Sequence, residues 1–150
     1  MANQKDKLWD GRFTEATDAF VESFTASINF DYILADYDIE GSMAHARMLS
    51  KADIISAPDL TTMLAGLSEI RQEISQGQFQ WSVQLEDVHM NIEAALTARI
   101  GELGKVLHTG RSRNDQIATD LRLYLREQID LILGKIKQLL TGILDLAETH

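Results

Sequence analysis

The chain has no cysteine, one proline, few aromatic residues and no long hydrophobic run, and each scarcity excludes a class of protein. Without cysteine there is no disulfide, no thiolate metal site and no cysteine nucleophile. This fits a reducing cytoplasm, which we take as the expected location. No apolar run reaches the roughly 18 residues of a membrane-spanning helix. The first residues lack the apolar centre of a signal peptide, so we expect no secretion.

Positive charge is also scarce. The chain has 14 Lys and Arg residues against 23 Asp and Glu residues, which gives a net charge of −9. Nucleic acids and anionic membranes bind basic surfaces, so neither is an expected partner. Hydrophobic residues, in contrast, make up 45% of the 150 residues, which is enough for a folded domain with its own core.

The apolar residues recur at helical spacing, and no segment alternates strictly as a strand does, so we predict an all-α fold. A first helix is predicted from Thr14, followed by a loop at residues 26–30 and a second helix that opens at Asp31. Ser56 is a good N-cap, and Pro58 fits the first turn, so a third helix should begin there.

Further start and stop signals divide the rest of the chain. The third helix should end at Gly77, and a fourth should occupy residues 86–99 with Gly101 at its end. Residues 117–147 repeat apolar side chains on several faces, which predicts one helix roughly 50 Å long. A helix that is apolar on so many sides must be buried on several sides, so we expect partner helices from another chain.

The most informative stretch lies directly before this long helix, at residues 104–116, with the sequence GKVLHTGRSRNDQ. It carries five side chains that donate hydrogen bonds or carry a positive charge: Thr109, Arg111, Ser112, Arg113 and Asn114. With Asn114 or Asp115 as N-cap, these groups would lie at the positive end of the helix, where anions bind. Because Arg recognises carboxylates in a bidentate manner, the stretch predicts a small-anion site, most simply for a carboxylate. The structural alternative is that both arginines pair with Asp or Glu of a neighbouring helix.

Two further polar residues are weaker candidates. His89 lies near the start of the fourth helix, where it could orient a substrate, share a metal with Glu93 four residues on, or be an ordinary surface histidine. A single His–Glu pair is a weak metal signal, so no metal site is predicted. Ser27 lies in the predicted loop, where it could contact a substrate or serve as a turn residue. The residues show no nucleophile–base set and no glycine-rich phosphate motif.

Four motifs carry a resemblance to a known family. The segments LWDGRF, SINFDYILADYDIEGS, EDVHMNIEAALTARIG and above all GKVLHTGRSRNDQIATDLRLYLR resemble argininosuccinate lyases, members of the fumarase/aspartase superfamily that also include the δ-crystallins. The resemblance runs from Leu8 to the end of the chain. Asp10 departs from the family pattern, which more often has glycine there.

The resemblance implies a function and an assembly. Argininosuccinate lyases split argininosuccinate into arginine and fumarate by β-elimination, in arginine biosynthesis and the urea cycle, without a metal or organic cofactor. They are homotetramers built on a bundle of long helices, and each active site draws on three subunits. We therefore predict an N-terminal helical domain at residues 1–113 and the start of the central helix bundle at residues 114–150.

The resemblance also assigns roles. It matches Ser27 and Asn114 to substrate-contacting residues, and His89 to a histidine that lines the site. Arg111, Ser112 and Arg113 match the loop that holds the succinyl carboxylates, and Thr109 joins them through its place in that loop.

The motifs that carry the family's catalytic residues do not occur in these 150 residues. They are a threonine–histidine motif and a flexible loop rich in glycine and serine, so the resemblance implies a catalytic acid and base beyond His150. We therefore expect no catalytic residue in this chain, His150 included, and an N-terminal piece of the enzyme that is inactive alone. Fumarate release by the purified chain would contradict this expectation.

Two rival functions remain open. The chain could belong to a non-catalytic structural or interaction protein, such as a lens crystallin, which an activity assay would distinguish. It could also belong to another lyase of the superfamily, such as adenylosuccinate lyase or fumarase. The segment HTGRSRNDQ argues against the second alternative, and substrates tested side by side would decide it.

Overall fold

A computed structural model describes residues 18–149 of the chain. Every regular element in this part is helical and none is a strand, which confirms the predicted all-α class. No helix within residues 18–149 is long and apolar enough to cross a membrane. The LWDGRF motif with Asp10, the predicted cap Thr14, and His150 lie outside the described residues. The location of the catalytic acid and base beyond His150 therefore stays a prediction.

The described residues form seven α-helices and two short 3₁₀ turns. The α-helices are α1 (Ala19–Thr25), α2 (Ile28–Asp31), α3 (Ala35–Lys51), α4 (Ala57–Ser75), α5 (Val88–Ile100), α6 (Glu102–Val106) and α7 (Arg113–Thr149). The 3₁₀ turns are Tyr32–Leu34 and Val83–Leu85.

Several predicted helix boundaries are confirmed, and local chemistry explains why. Ser56 caps α4 in a capping box, in which its hydroxyl accepts from the Asp59 N–H and the Asp59 carboxylate accepts from the Ser56 N–H. The Asp87 side chain caps α5 by accepting from the Met90 N–H at 2.7 Å. Gly101 ends α5 with a φ of 68°, a backbone conformation that glycine adopts without steric strain.

Other predicted boundaries are wrong. Residues 26–30 are not simply a loop, since the short helix α2 begins at Ile28. The next long helix does not open at Asp31, because the chain first makes a 3₁₀ turn and α3 begins only at Ala35. Sequence spacing gave no warning of this irregular segment, in which tertiary hydrogen bonds replace the usual helix signals.

The core lies among α3, α4 and α5, with α6 packed against α4 and α5. Its fully buried apolar side chains come from all three longer helices and include Ile39, Leu49, Met63, Leu67, Ile70, Val88, Ile92 and Leu96. Burying one such side chain stabilises the fold by about 1.5–3 kcal/mol. This apolar packing, more than any surface contact, holds α5, which carries His89.

The chain divides into two compact units, one that ends at Gly110 and one that begins at Arg111. The second unit consists of α7 and the residues directly before it, and α7 has 37 residues, or about 55 Å at the usual rise. The predicted single long helix is therefore confirmed. The predicted domain boundary after residue 113 remains a prediction, although it falls close to this division.

Candidate functional site

The second unit starts with a tightly ordered turn around Ser112. The Ser112 hydroxyl accepts from the Asn114 N–H at 3.3 Å, and the Asp115 Oδ2 accepts from the Ser112 N–H at 2.6 Å. The Gln116 N–H donates to the Ser112 carbonyl at 3.2 Å, which is the first helical hydrogen bond. The cap of α7 is therefore Ser112. The prediction of Asn114 or Asp115 as N-cap is wrong by two or three residues, because the Ser112 hydroxyl accepts from the Asn114 N–H while the Asp115 carboxylate accepts from the Ser112 N–H.

This correction moves two candidate residues into the helix. Arg113 and Asn114 are the first two residues of α7, and the Asn114 side chain is exposed. They lie where the backbone N–H groups and the macrodipole give the helix its partial positive charge. The first turn of α7 thus carries a guanidinium and an amide side chain at consecutive positions.

Arg111 faces an acidic side chain of its own turn. Its Nε lies 3.7 Å from the Asp115 Oδ1. The structural alternative for the arginines, pairing with an acidic residue, is thus observed for Arg111, but within the same turn rather than with another helix. Asp115 therefore connects the cap and Arg111, and it orders the turn with an internal carboxylate.

Thr109 lies in the turn that follows α6 in the first unit. The preceding residues are held close to the core, since Leu107 is buried. Gly104 approaches α5 so closely that an added Cβ would lie 2.8 Å from the Cα of Thr97. The Thr109 carbonyl accepts from the Nε2 of His45 on α3 at 3.0 Å. The exposed Thr109 side chain is thus carried by a segment with several fixed points.

Ser27 is held at the N-terminus of α2 by two contacts. Its hydroxyl donates to the Asp31 Oδ2 at 2.6 Å, and its backbone N–H donates to the Glu86 carbonyl at 2.9 Å. Asp31 also accepts from the Val88 N–H at 3.2 Å, at the start of α5. Ser27 therefore acts as a turn residue in this structure, in a place that adjoins the start of α5.

The backbone of Glu86 is unusual. It has a φ of 60° and a ψ of −62°, and the Asp87 N–H donates to the Leu85 carbonyl at 2.7 Å, which makes a tight γ-turn. A residue other than glycine in this conformation is strained by about 1–3 kcal/mol. Its carbonyl accepts from the N–H groups of both Ser27 and Ile28, so the strained turn joins α2 to the start of α5.

His89 is buried in the first unit, which excludes the interpretation of an ordinary surface histidine. Only 3% of the residue is exposed, and its Nδ1 lies 3.0 Å from the Oδ1 of Asp38, itself 1% exposed. A carboxylate beside Nδ1 favours the tautomer with its proton there, which fixes the ring. The metal alternative with Glu93 remains a weak hypothesis, since the observed partner of Nδ1 is Asp38.

The structure distributes the candidate residues over the two units. Ser27, His89 and Thr109 belong to the first unit, whereas Arg111, Ser112, Arg113 and Asn114 belong to the second. Within the first unit, Ser27 and His89 both lie beside the start of α5, because Asp31 bonds to Ser27 and to Val88.

Three residues that contact the candidates escaped sequence analysis: Asp31, Asp38 and His45. The sequence does contain one indication for Asp38, because this acidic residue lies beside Ile39 on the inward face of α3. It contains another for Asp31, since a serine and an aspartate four residues apart can bond across a helical turn. It contains none for His45, because its partner is a backbone carbonyl 64 residues away.

Comparison with known proteins agrees with the resemblance of the motifs. The family model described as "Lyase" matches residues 11–150. The chain is 62% identical over 144 residues to a protein named argininosuccinate lyase from Methylococcus capsulatus, which covers 96% of this chain and 31% of that protein. A protein of the same name from Nitrosococcus oceani is 63% identical over 142 residues, covering 95% of this chain and 30% of that protein.

A third similar protein, from Azotobacter vinelandii and also named argininosuccinate lyase, is 57% identical over 149 residues. That match covers 99% of this chain and 32% of that protein, so the chain spans about a third of the length of these relatives. The resemblance stated from the motifs is thus confirmed. Because the family match covers far more than half of the sequence, the chain belongs to the lyase family.

Proposed function

We propose that the whole protein cleaves argininosuccinate into arginine and fumarate, and that residues 109–114 of this chain form the loop that holds the succinyl carboxylates. The observation that carries the proposal is the placement of Arg113 and Asn114 in the first turn of a 37-residue helix. The names of the similar proteins support the choice of substrate. The chemistry takes place in the cytoplasm and uses neither a metal nor an organic cofactor.

The reaction explains why such a site is needed. A base removes the proton from a carbon next to a carboxylate, and the electron pair forms the double bond of fumarate as the carbon–nitrogen bond breaks. The nitrogen leaves with that bond's electrons and takes up a proton from an acid. Negative charge grows on the carboxylate before the bond breaks, and fixed donors that face it lower the barrier. We assign the acid and the base to parts of the whole protein beyond His150.

The residues of the turn divide this work. Arg111 and Ser112 order the turn through Asp115 and the Asn114 N–H, so they prepare the site. Asn114, whose side chain is exposed, and Arg113 recognise the carboxylate directly. Thr109 contributes its hydroxyl from the preceding segment. Ser27 and His89 contact other parts of the substrate, in an active site assembled from several subunits.

The assembly that we propose is a homotetramer in which α7 packs against the same helix of other subunits. Its support is the exposure of the apolar residues of α7, among them Leu125, Ile132, Leu139 and Leu146, each at least 47% exposed. A monomer rarely leaves so long an apolar surface in water. Sedimentation equilibrium of the whole protein should give the mass of four chains, and a monomer at micromolar concentration would contradict this assembly.

The function is tested with Asn114→Ala and Arg113→Met in the whole protein. Removing one preorganised donor should lower kcat by about 10²–10³. The loss of stability should not exceed that of a helix cap, about 0.5–2 kcal/mol. Matched controls are Gln78→Ala, another exposed amide, and Arg122→Met, an exposed arginine further along α7. Turnover and melting temperature are measured on the same preparations.

Three outcomes are informative. Loss of turnover in the two site variants with retention in the controls supports the proposal. A sharp fall in melting temperature with wild-type turnover per folded enzyme would show that the turn is only structural. Cleavage of adenylosuccinate or hydration of fumarate, without cleavage of argininosuccinate, would assign the protein to another lyase of the superfamily.

A further inference from the structure

The segment between α6 and Gly110 is fixed by short local hydrogen bonds. The N–H groups of Leu107, His108 and Thr109 donate to the carbonyls three residues earlier, at 3.3, 3.3 and 3.0 Å. These bonds satisfy the amides of the turn. None of these three bonds involves the peptide group between Thr109 and Gly110, so they do not fix its orientation.

That last peptide is the least constrained by its own residues. Gly110 has a φ of 71°, and an added Cβ there would meet nothing within 4 Å, so packing does not hold this residue in place. Glycine has access to more backbone conformations than any other residue. A contact from outside the turn is therefore needed to select one orientation of the Thr109–Gly110 peptide.

His45 supplies this contact. Its Nε2 lies 3.0 Å from the Thr109 carbonyl oxygen, and it reaches the turn from α3, a 17-residue helix of the first unit. Since a carbonyl can only accept, the imidazole donates through Nε2, which it can do in the neutral or the protonated form. The contact joins two residues 64 positions apart and has no counterpart in the local turn.

We propose that His45 is a positioning residue for substrate binding, acting through the Thr109–Gly110 peptide; this rests on the proposed function of residues 109–114. In a trans peptide the N–H points opposite to the carbonyl. By holding the Thr109 carbonyl towards α3, His45 directs the Gly110 N–H away from α3 and fixes the backbone that bears the Thr109 hydroxyl. Both groups are donors suited to a carboxylate oxygen.

The test uses His45→Leu and His45→Gln in the whole protein. Leucine removes the donor at similar size, whereas the glutamine amide keeps an N–H donor. Loss of one hydrogen bond of this kind should lower kcat/KM for argininosuccinate about two- to tenfold, chiefly through KM. His45→Gln should stay within about twofold of wild type for the same reason. The matched control is Arg47→Leu, which places leucine at an exposed position of the same helix, α3.

Hydrogen–deuterium exchange gives a second readout that needs no substrate. In His45→Leu the amides of residues 108–110 should exchange faster, whereas those of α4 should be unchanged. If wild type and His45→Leu have equal kcat/KM, or if His45→Gln is impaired as much as His45→Leu, the positioning role is wrong. If exchange changes as expected but wild type does not cleave argininosuccinate, the anchoring of the turn stands and the proposed function fails.

Discussion

The two units of this chain differ in how completely their long helices bury apolar side chains. In the first unit, Ile39, Leu67 and Ile70 are completely buried, and the helices that bear them pack against one another. In the second unit, large apolar side chains along α7 from Ile117 to Leu146 are between 37% and 64% exposed. Both units are helical and both are rich in leucine and isoleucine, so composition does not explain the difference.

The difference shows where each unit obtains its stability. The first unit buries the core side chains of α3, α4 and α5 against one another, although some of its other apolar side chains, such as Phe24 and Phe30, are exposed. A single helix cannot bury its own faces. The sequence pattern of α7 therefore describes a surface that other helices must cover, which is the basis of the assembly proposed above.

The largest expected effect on stability comes from Leu67→Ala. Leu67 is fully buried on α4, so the substitution should lower the free energy of unfolding by about 2–5 kcal/mol. Leu139→Ala on α7, where the residue is 64% exposed, is the matched control. Residues 113–149 contain no tryptophan, so urea unfolding followed by tryptophan fluorescence does not read α7 directly.

On the 150-residue chain, Leu67→Ala should shift the urea midpoint strongly and Leu139→Ala only slightly. A large shift with Leu139→Ala would break the comparison, because it would show that the core of the first unit depends on α7. Repeating Leu139→Ala in the whole protein should give a larger loss, because the proposed assembly would bury Leu139.

A second comparison uses glycines, and its expected effects are smaller. A Cβ at Gly104 would lie 2.8 Å from the Cα and 2.9 Å from the N of Thr97, so Gly104→Ala forces backbone to move. We expect a loss of about 1–3 kcal/mol, as for an overpacked core. A Cβ at Gly134 on α7 would meet nothing within 4 Å, so Gly134→Ala should favour the helix by about 0.5–1 kcal/mol.

These two variants are compared by thermal unfolding monitored by circular dichroism. If Gly134→Ala favours the helix in the 150-residue chain but weakens association of the whole protein, α7 contacts its partners at that position. Equal melting temperatures for Gly104→Ala and wild type would show that α6 and α5 are less tightly packed than the structure indicates.

The smallest expected effect belongs to the surface of the first unit. Arg71 donates two hydrogen bonds to Asp36, at 2.5 and 2.6 Å, which raise the pKa of the Arg71 guanidinium. The raised pKa means that this contribution is present at neutral pH and is lost in strongly alkaline solution, as the guanidinium deprotonates. Because both side chains are about half exposed, Arg71→Met should cost only about 0–1 kcal/mol by urea unfolding. A loss as large as that of Leu67→Ala would contradict a stability based on the apolar core.

The helices with strong local signals could be predicted from the sequence. Ser56 with Asp59, and Asp87 before α5, cap helices through contacts three residues apart, which the sequence contains in full. The segment between α1 and α3 could not be predicted in the same way. Its short helix begins where the N–H groups of Ser27 and Ile28 meet the carbonyl of Glu86, a residue from a distant part of the chain.

The candidate site also has features that local sequence predicts and features that it does not. The four polar residues from Arg111 to Asn114 are consecutive, so their place at the start of a long helix could be predicted without a structure. The exact cap could not, because Ser112, Asn114 and Asp115 are all acceptable cap residues and hydrogen-bond geometry chose Ser112. The role of Asp115 could not be predicted either. Its carboxylate lies beside Arg111 and orders the turn.

The sequence by itself determined the all-α class, the presence of one long helix at α7, the family resemblance and the polar turn before that helix, because each depends on residues close together in the chain. Only the tertiary structure decided which polar residues meet across long separations. It placed Asp38 beside the buried His89 and His45 beside the Thr109 carbonyl. The physical reason is that a helical period specifies which face is buried but not which residue of another helix will lie opposite it.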